Sequence, residues 1–569
     1  MSYQRKYGMS LKFLRKYHKM TNSKRKTIII IGIILSVTVL FAIGNSDIYK
    51  DISTSIRLYN EVFRQLFTNY VDPIRAKDFT ERSLVDIMKE LDPYTVFLSR
   101  DEKEPLETLT KGEYGGVGLR ISIRNDTLTV ISPMDGSPAS RANIFPGDQI
   151  IKVDSLSIIG MDLNKSAKLI RGKIGTSVTL TIKRPGIPGT TEYTLKRENI
   201  NVTDVSYFGM MDDHIGYIRL SEFSKGASDE VREAIASLQK QDRRMRGLIL
   251  DLRGNPGGLL SEALAVSELF IDPGDTLLMT RGRTEIANKV FVARKKPFLS
   301  DDIKLAVLIN RGSASASEIV SGVIQDLDRG VVIGAPSFGK GLVQTVFRID
   351  REHSLKITTA KYYIPSGRLI QKPGYVKNPD VVDENNPKDT LFYSKNGRPL
   401  KGGGGIVPDY KIDTDPLSDY IRELWRQNMF YTYAVHYKSA HGEIKTPVVV
   451  DDAMIADFRE FLTQDGFIYR QKNEKNLRNL EKEILKEDAF RDIVNPFASI
   501  YAVYDSLNSV KFDENIDQIK RGLISELSTL AGGLSERIKN DIKNDPAIDK
   551  AIEVLSDKME YNTTLGYAK

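Results

Sequence analysis

The sequence predicts a multidomain α/β plus β protein: an α/β core, a small β module ahead of it, and an all-α region behind it. Three observations carry this expectation. Residues 247–269 and 305–327 each read as a buried apolar strand, a turn rich in glycine or serine, and a helix. Repeated strand–turn–helix units build a sheet whose loops gather at the strand C-terminal ends. Residues 103–200 instead break into short β-like runs between glycine and proline turns. Residues 412–569 carry apolar stripes at helical spacing, such as Ile516, Ile519, Leu523, Leu527 and Leu530, in a charged background.

The chain has 569 residues, more than one domain holds. Charged residues make up 28% and hydrophobics 41%, the balance of an ordinary globular protein. The formal net charge is +7, but residues 1–26 hold nine Lys/Arg and no acid, so the remainder carries −2. The basic character is a tail, and no nucleic-acid partner is indicated. Cysteine is absent, which excludes disulfides and thiolate metal sites.

After the basic residues 1–26, residues 27–44 open with 17 uncharged positions, TIIIIGIILSVTVLFAI. This is the short end of a membrane span and the long end of a signal-peptide core. The basic flank orients it with residues 1–26 in the cytoplasm and everything after Gly44 across the membrane. An uncleaved inner-membrane anchor with the rest of the chain in the periplasm is the expectation. The alternative is a secreted form, cut after Ala42-Ile43-Gly44. Residues 45–102 read as helices, with stripes such as Ile56, Tyr59, Val62, Phe63 and Leu66, closed by the Asp92-Pro93 turn. Nothing there looks catalytic.

In 103–200, Gly115, Gly116 and Gly118 precede alternating residues, followed by the turns Asp135-Gly136-Ser137-Pro138 and Pro146-Gly147-Asp148. One helical piece, 164–171, precedes a further strand at 177–183. This pattern resembles a PDZ domain in its circularly permuted bacterial form. The resemblance makes Gly116, Val117, Gly118 and Leu119 the loop that takes a peptide's C-terminal carboxylate on exposed N–H groups, with the adjoining strand edge pairing its backbone.

Residues 201–410 are expected to hold the chemistry. The strand 247–253 runs into Gly254-Asn255-Pro256-Gly257-Gly258, and Asp251 reads as a turn-capping carboxylate. The strand 305–309 runs through Asn310, Arg311 and Gly312 into Ser313-Ala314-Ser315-Ala316-Ser317-Glu318. A second strand, 331–333, enters a glycine loop bearing Lys340. Residues 373–404 look like a loop insertion, and 411–569 like packing or interaction surface, with Trp425 as a core anchor.

Three readings of the serine run and Lys340 remain open on the residues alone. Ser315-Ala316-Ser317-Glu318 is a formal helix capping box. Gly334 to Lys340 matches G-x-x-x-x-G-K, yet Gly341 stands where a phosphate loop needs Ser or Thr, and strand-like residues follow. The third reading is a serine nucleophile at a helix N-terminus with a lysine base, which needs burial to lower the lysine pKa. The five histidines lie outside recognisable motifs, and no G-x-S-x-G turn occurs.

SASASEI, then QD-x-x-R, then FGKG-x-VQ resembles the carboxy-terminal processing proteases, the tail-specific Ser/Lys peptidases. D-L-R-x-N-x-G-G upstream, TTAKYYIPSGRLIQ downstream and Gly405-Ile406-Val407-Pro408-Asp409 are similar to the same family. The resemblance implies a crotonase-like or ClpP-like core with Ser315 as nucleophile and Lys340, 25 residues on, as base. It implies that Gln344 orients the lysine, that Gly258 and Ala316 supply the oxyanion-hole N–H groups, and that Asp326 has a supporting role. No cofactor or metal is implied. The implied partners are protein substrates with unstructured apolar C-termini, the inner membrane, a lipoprotein adaptor and further copies of the chain in a homo-oligomer. The alternative from another class is a membrane-anchored PDZ scaffold that grips peptides without cutting them. Ser315, Lys340 and Gln344 occurring together argue against it.

Overall fold

The computed structural model describes residues 49–99, 108–134, 136–376, 391–412, 417–484, 486, 495–543 and 545–567. Residues 27–44, the expected anchor, lie outside them; among the described residues no helix is long and apolar enough to cross a membrane. The chain forms two units, Met1–Ile87 and Met88–Lys569. The first holds helix α1 (residues 49–69) and all but the last two residues of α2 (Ala76–Lys89), and the rings of Phe63 and Phe67 meet Phe79 edge-on.

Not all of 45–102 is helical. Past the Asp92 turn, β1 (Val96–Leu98) is a strand paired with the much later strand β18 (Ser354–Tyr363). Its three residues, Val, Phe and Leu, suit a half-buried sheet position better than a helix.

The β module begins with β2 (Glu113–Gly116) and β3 (Leu119–Arg124), followed by β4 (Thr127–Pro133), β5 (Gln149–Val153) and the short β6 (Leu156–Ser157). Helix α3 (Leu163–Ile170), β7 (Ser177–Lys183), β8 (Thr191–Lys196) and β9 (Glu198–Asn201) complete it. The sheet runs β3-β4-β5-β7-β8, with β6 on β5 and β2 paired to β9 as a stem. β3 therefore keeps one free edge. Val117, Leu128, Val130, Ile150, Leu180 and Ile182 fill the core.

The central sheet has the order β10-β11-β12-β15-β16-β21. It is built from β10 (Val205–Met211), β11 (Ile215–Leu220), β12 (Gly247–Asp251), β15 (Lys304–Ile309), β16 (Val331–Gly334) and β21 (Tyr410–Lys411). All neighbours are parallel except the β10–β11 hairpin. All five residues of β12 are buried, which is why it reads as an unbroken apolar run. On one face lie α4 (Ala227–Gln241), α5 (Leu260–Glu268) and α6 (Ala316–Asp326), whose eleven residues are all buried. Beside these helices stands a second, antiparallel sheet of β1, β13 (Thr276–Gly282), β14 (Lys289–Val292), β17 (Leu342–Arg348) and β18 (Ser354–Tyr363).

The insertion is not wholly loop: β19 (Leu391–Tyr393) and β20 (Pro399–Lys401) pair as a hairpin. Its turn packs on the far end of α6, where Arg398 bridges Asp328 at 2.6 Å and Asp409 at 2.8 Å.

The C-terminal region, including α7 (Met429–His441) and α8 (Ile516–Asp541), is helical and packs around Phe430, Tyr433 and Phe458. Trp425 is half-buried there, 4.8 Å from the Phe430 ring. It is more than a separate bundle. Helix α9 (Pro546–Ser556) covers the second face of the central sheet, laying Ile548, Ala551, Val554 and Leu555 on Ile215, Ile249, Ala306 and Val331. The same region holds the β module, through the Arg124–Glu526 ion pair at 3.0 Å and the Tyr431 hydroxyl donating to Gly147 O. Leu555 is fully buried between α9 and the sheet, so Leu555→Ala is expected to cost about 2–5 kcal/mol. A clear fall in the midpoint of calorimetric unfolding of the full chain checks this; an unchanged midpoint would contradict the covering role.

Candidate active site

Two loops meet at the C-terminal ends of the parallel strands β12 and β15. The carboxamide oxygen of Asn310 accepts from the N–H groups of Gly254 and Gly312, both at 2.9 Å, and so ties one loop to the other. Asn255 works from the other side. Its carbonyl accepts from Ala314 N and the Ser317 hydroxyl, while its side chain bonds Leu220 O and Gly257 N. Asp251 caps this turn, accepting from Arg253 N at 2.9 Å and from the Tyr217 hydroxyl at 2.7 Å. Burial opposes its charge, but the Arg253 guanidinium holds its carboxyl below the usual carboxylate range.

The three serines of the run are not equivalent. Ser313 and Ser317 are fully buried and donate their hydroxyls to Leu252 O and Asn255 O. Ser315 is half-buried, faces a cavity of about 390 Å³, and donates its hydroxyl to no acceptor among the described residues. Its backbone sits at φ 55, ψ −111, a conformation that a non-glycine residue adopts only when its surroundings force it. The turn thus pushes one unspent hydroxyl out at the N-terminus of α6.

Gly257 and Gly258 pack against that turn. A Cβ on Gly257 would lie 2.8 Å from Ser315 Cβ and 2.9 Å from Ala316 N, and one on Gly258 would meet Phe223 O at 2.4 Å. Only glycine permits this approach. The N–H groups of Gly258 and Ala316 donate to no protein acceptor among the described residues, and both residues line the Ser315 cavity.

Lys340 lies on the same cavity as Ser315. Burial, then the nearby Lys356 cation, pull its amine below the ordinary lysine value of 10.5, against the opposing pull of Glu318 and Asp92. No hydrogen bond joins Ser315 Oγ to the Lys340 amine, whose nitrogen stands 4.6 Å above the Tyr94 ring.

Glu318 ties the serine turn to the lysine loop. Its fully buried carboxylate accepts from Ser315 N (2.8 Å), Ser337 Oγ (2.5 Å), Gly339 N (2.7 Å) and Lys340 N (2.9 Å). The expected capping box is present, but three of the four bonds to Glu318 run to the lysine loop. Burial pushes the carboxyl up, and the four donors pull it back. Tyr362, also missed as a site residue although it lies within TTAKYYIPSGRLIQ, donates its hydroxyl to Ser315 O at 3.2 Å and to Lys340 O.

The other expected residues take different places. Gln344 lines the cavity, but its amide reaches Thr358 Oγ1 at 3.5 Å and not the lysine. Asp326 stands at the far end of α6, eleven residues or about 16 Å from Ser315, in a buried pair with Arg368 at 2.7 Å. Its support is structural, bracing the helix and accepting Ser366 N. A larger cavity of about 500 Å³ between the β module and the helical region also holds a lysine and a serine, Lys438 and Ser439, but there the lysine amine donates to Leu530 O.

In the β module, Gly116, Val117, Gly118 and Leu119 line a groove of about 340 Å³ between the free edge of β3 and α3, with Ile121 and Ala167 as apolar walls. Gly118, at φ 71, lies so close to Ser137 that a Cβ would stand 2.2 Å from that residue's Cβ.

Three family models match the chain: peptidase family S41 over residues 214–382, a PDZ domain over 129–184, and the probable PDZ-protease C-terminal helical domain over 420–555. A carboxy-terminal-processing protease of Bartonella bacilliformis is 36% identical over 365 residues, covering 63% of this chain and 83% of that protein. The chain belongs to the carboxy-terminal processing proteases. Carboxy-terminal processing protease CtpA of Bacillus subtilis is 34% identical over 353 residues, 61% of this chain and 74% of that one. A probable CtpA-like serine protease of Staphylococcus haemolyticus is 33% identical over 391 residues, 68% and 77% of the two chains. This protease is therefore a serine-type peptidase of family S41 with a PDZ domain and a C-terminal helical domain.

Glu318→Gln in this protease would put an N–H₂ donor where four donors converge on two acceptor oxygens. The expected result is a loss of about 1–3 kcal/mol in stability and a fall of about 10²-fold in kcat, since both loops lose their shared acceptor. Tail-cleavage kinetics and thermal unfolding check this. Wild-type kcat would show that Glu318 does not hold the site.

Proposed function

We propose that this protease captures a substrate's C-terminus on its PDZ groove and cleaves near that end with Ser315 as nucleophile and Lys340 as general base. The observation that carries the reading is the unspent Ser315 hydroxyl on a strained turn, beside the free N–H groups of Ala316 and Gly258 and on one cavity with a half-buried lysine. A substrate carboxylate meets the loop from Gly116 to Leu119, and the adjoining segment adds along the β3 edge. Neutral Lys340 takes the Ser315 proton as Oγ bonds to the scissile carbonyl carbon. The two N–H groups hold the oxyanion. Collapse breaks the C–N bond, the Lys340 ammonium returns its proton to the leaving amine, and water, deprotonated by Lys340, then hydrolyses the acyl-enzyme. Gln344 acts on the lysine only if the side chains move from their present contacts.

The apolar walls of the groove favour unstructured, apolar substrate tails. The basic residues 1–26 followed by 17 uncharged ones support an inner-membrane anchor with the protease on the periplasmic side. Intact mass of the purified membrane form would reveal a cleaved N-terminus and overturn this placement.

Ser315→Ala should lower turnover of a flexible, apolar-tailed protein by about 10⁴-fold or more while leaving tail binding intact. Lys340→Arg, which stays protonated, should be nearly as inactive. The pH profile has a definite sign. The base works when neutral and its pKa is lowered, so kcat/KM rises with pH, with its half-point below 10.5. Intact-mass kinetics check all three, and a fully active Ser315→Ala removes the mechanism. Gly118→Val should raise KM or tail Kd with kcat nearly unchanged, because the added carbons collide at Ser137; equal effects on kcat would place the PDZ loop in the chemistry.

A further inference from the structure

Among the described residues the amine of Lys340 makes no hydrogen bond and no ion pair, and the carboxylates of Glu318 and Asp92 act on it only at a distance. What meets it is the face of Tyr94, with the nitrogen 4.6 Å from the ring centroid. Tyr94 belongs to the Asp92-Pro93-Tyr94-Thr95 turn ahead of β1, far from the serine and lysine motifs in sequence.

That turn is rigid and bolted to the strand beside the lysine. Asp92 is buried, and its carboxylate accepts from Tyr94 N (2.8 Å), Thr95 N (2.9 Å) and the Thr95 hydroxyl (2.7 Å). It also accepts from the Thr358 hydroxyl at 3.2 Å, and Thr358 N donates to Thr95 Oγ1 at 3.2 Å. β1 then pairs Val96, Phe97 and Leu98 with Lys356, Leu355 and Ser354. The Tyr94 ring is thus fixed against the same β18 that carries Lys356 and Tyr362 and that Gln344 reaches through Thr358.

We propose that Tyr94 is a positioning residue for the catalytic lysine, its ring face holding the Lys340 amine in the cavity where no hydrogen-bond acceptor does. The inference rests on Lys340 being the base. The groups facing the amine are Tyr94 and Asp92 from the turn, Glu318 from α6, and Lys356 from β18. Burial, with Glu318 and Asp92 nearby, pushes the Tyr94 hydroxyl up, so the residue meets the amine as a neutral ring and not as a phenolate. A ring face favours the ammonium over the amine. It therefore moderates the fall in pKa that burial imposes, and it accepts the lysine again in its protonated form after Ser315 is deprotonated.

The test compares full-length wild type, Tyr94→Phe and Tyr94→Leu in kcat, KM and the pH profile of kcat/KM on one flexible tail substrate. Tyr94→Phe keeps the ring and should stay within about twofold of wild type. Tyr94→Leu keeps bulk without a ring face. It should lose about 10- to 100-fold in kcat with KM unchanged, and its acid limb should move down by about half to one pH unit. Tyr94→Met takes its place should the leucine variant fail to fold. An aliphatic variant equal to wild type, one that loses kcat with an unmoved acid limb, or a Tyr94→Phe as impaired as leucine would each overturn the proposal. Lys340→Ala in the same assay separates the layers. If it turns over normally, the lysine is not the base; if it is inactive while Tyr94→Leu is normal, only the role of Tyr94 falls.

Discussion

The Glu318 carboxylate is the constraint on which the site depends. A fully buried carboxylate costs several kcal/mol in lost hydration, and only dense hydrogen bonding offsets that. Four donors converge on its two oxygens, one from the serine turn and three from the lysine loop. Because the donors come from segments more than twenty residues apart, satisfying the charge and closing the site are one event. The strained φ of Ser315 persists for the same reason: its N–H is held by Glu318, its carbonyl by Tyr362, and its neighbours by Asn255. Relaxing the turn would leave a buried charge short of partners.

The parts of this protein that were legible in the sequence are those whose signal is local. A strand buried on both faces must be an unbroken apolar run, so 247–251 and 305–309 announce themselves, and the helix behind each follows from apolar spacing. Glycines at 257 and 258 and the serine run mark turns by composition alone. Which serine is free could not be read locally, since Ser313, Ser315 and Ser317 differ only in what their hydroxyls reach across the fold. There the family resemblance, not the residues, chose Ser315. Tyr94 was out of reach for the same reason: Asp92-Pro93 reads as a helix stop, and nothing nearby says that 246 residues later a lysine will lie on the next ring. The 373–404 segment read as loop because its prolines outweigh the three-residue strands of its hairpin.

The C-terminal region was the hardest to assign, because an amphipathic stripe tells that a helix buries one face and not against what. The burial here is shared. α9 covers a sheet face that would otherwise be open apolar surface, and Arg253, two residues past the Asp251 turn, pairs with Asp545 at the start of α9 at 2.7 Å. The Tyr561 hydroxyl meets the chain at Leu305, and the Lys304 amine donates to Leu555 O. The strands that deliver both loops are thus held from behind by residues 538–565.

The same region grips the peptide-binding module at one telling point. β3, whose free edge lines the groove, begins at the Gly118–Ser137 contact and ends at Arg124, and Arg124 is bonded to Glu526 and Asn428 and lies beside the Tyr431 ring. The partner Glu526 is buried on α8, a helix that bends at Gly532 and Gly533 against Ser132 of β4 and continues to the Asp541–Ile542 end near the central sheet. One helix therefore touches the free-edged strand β3 and the sheet that carries the Ser315 turn. A peptide added to β3 loads a strand anchored at both ends. The ion pair at its far end, one partner almost fully desolvated, tolerates little displacement without a large electrostatic cost. The groove wall formed by β3 is for this reason fixed to the helical frame.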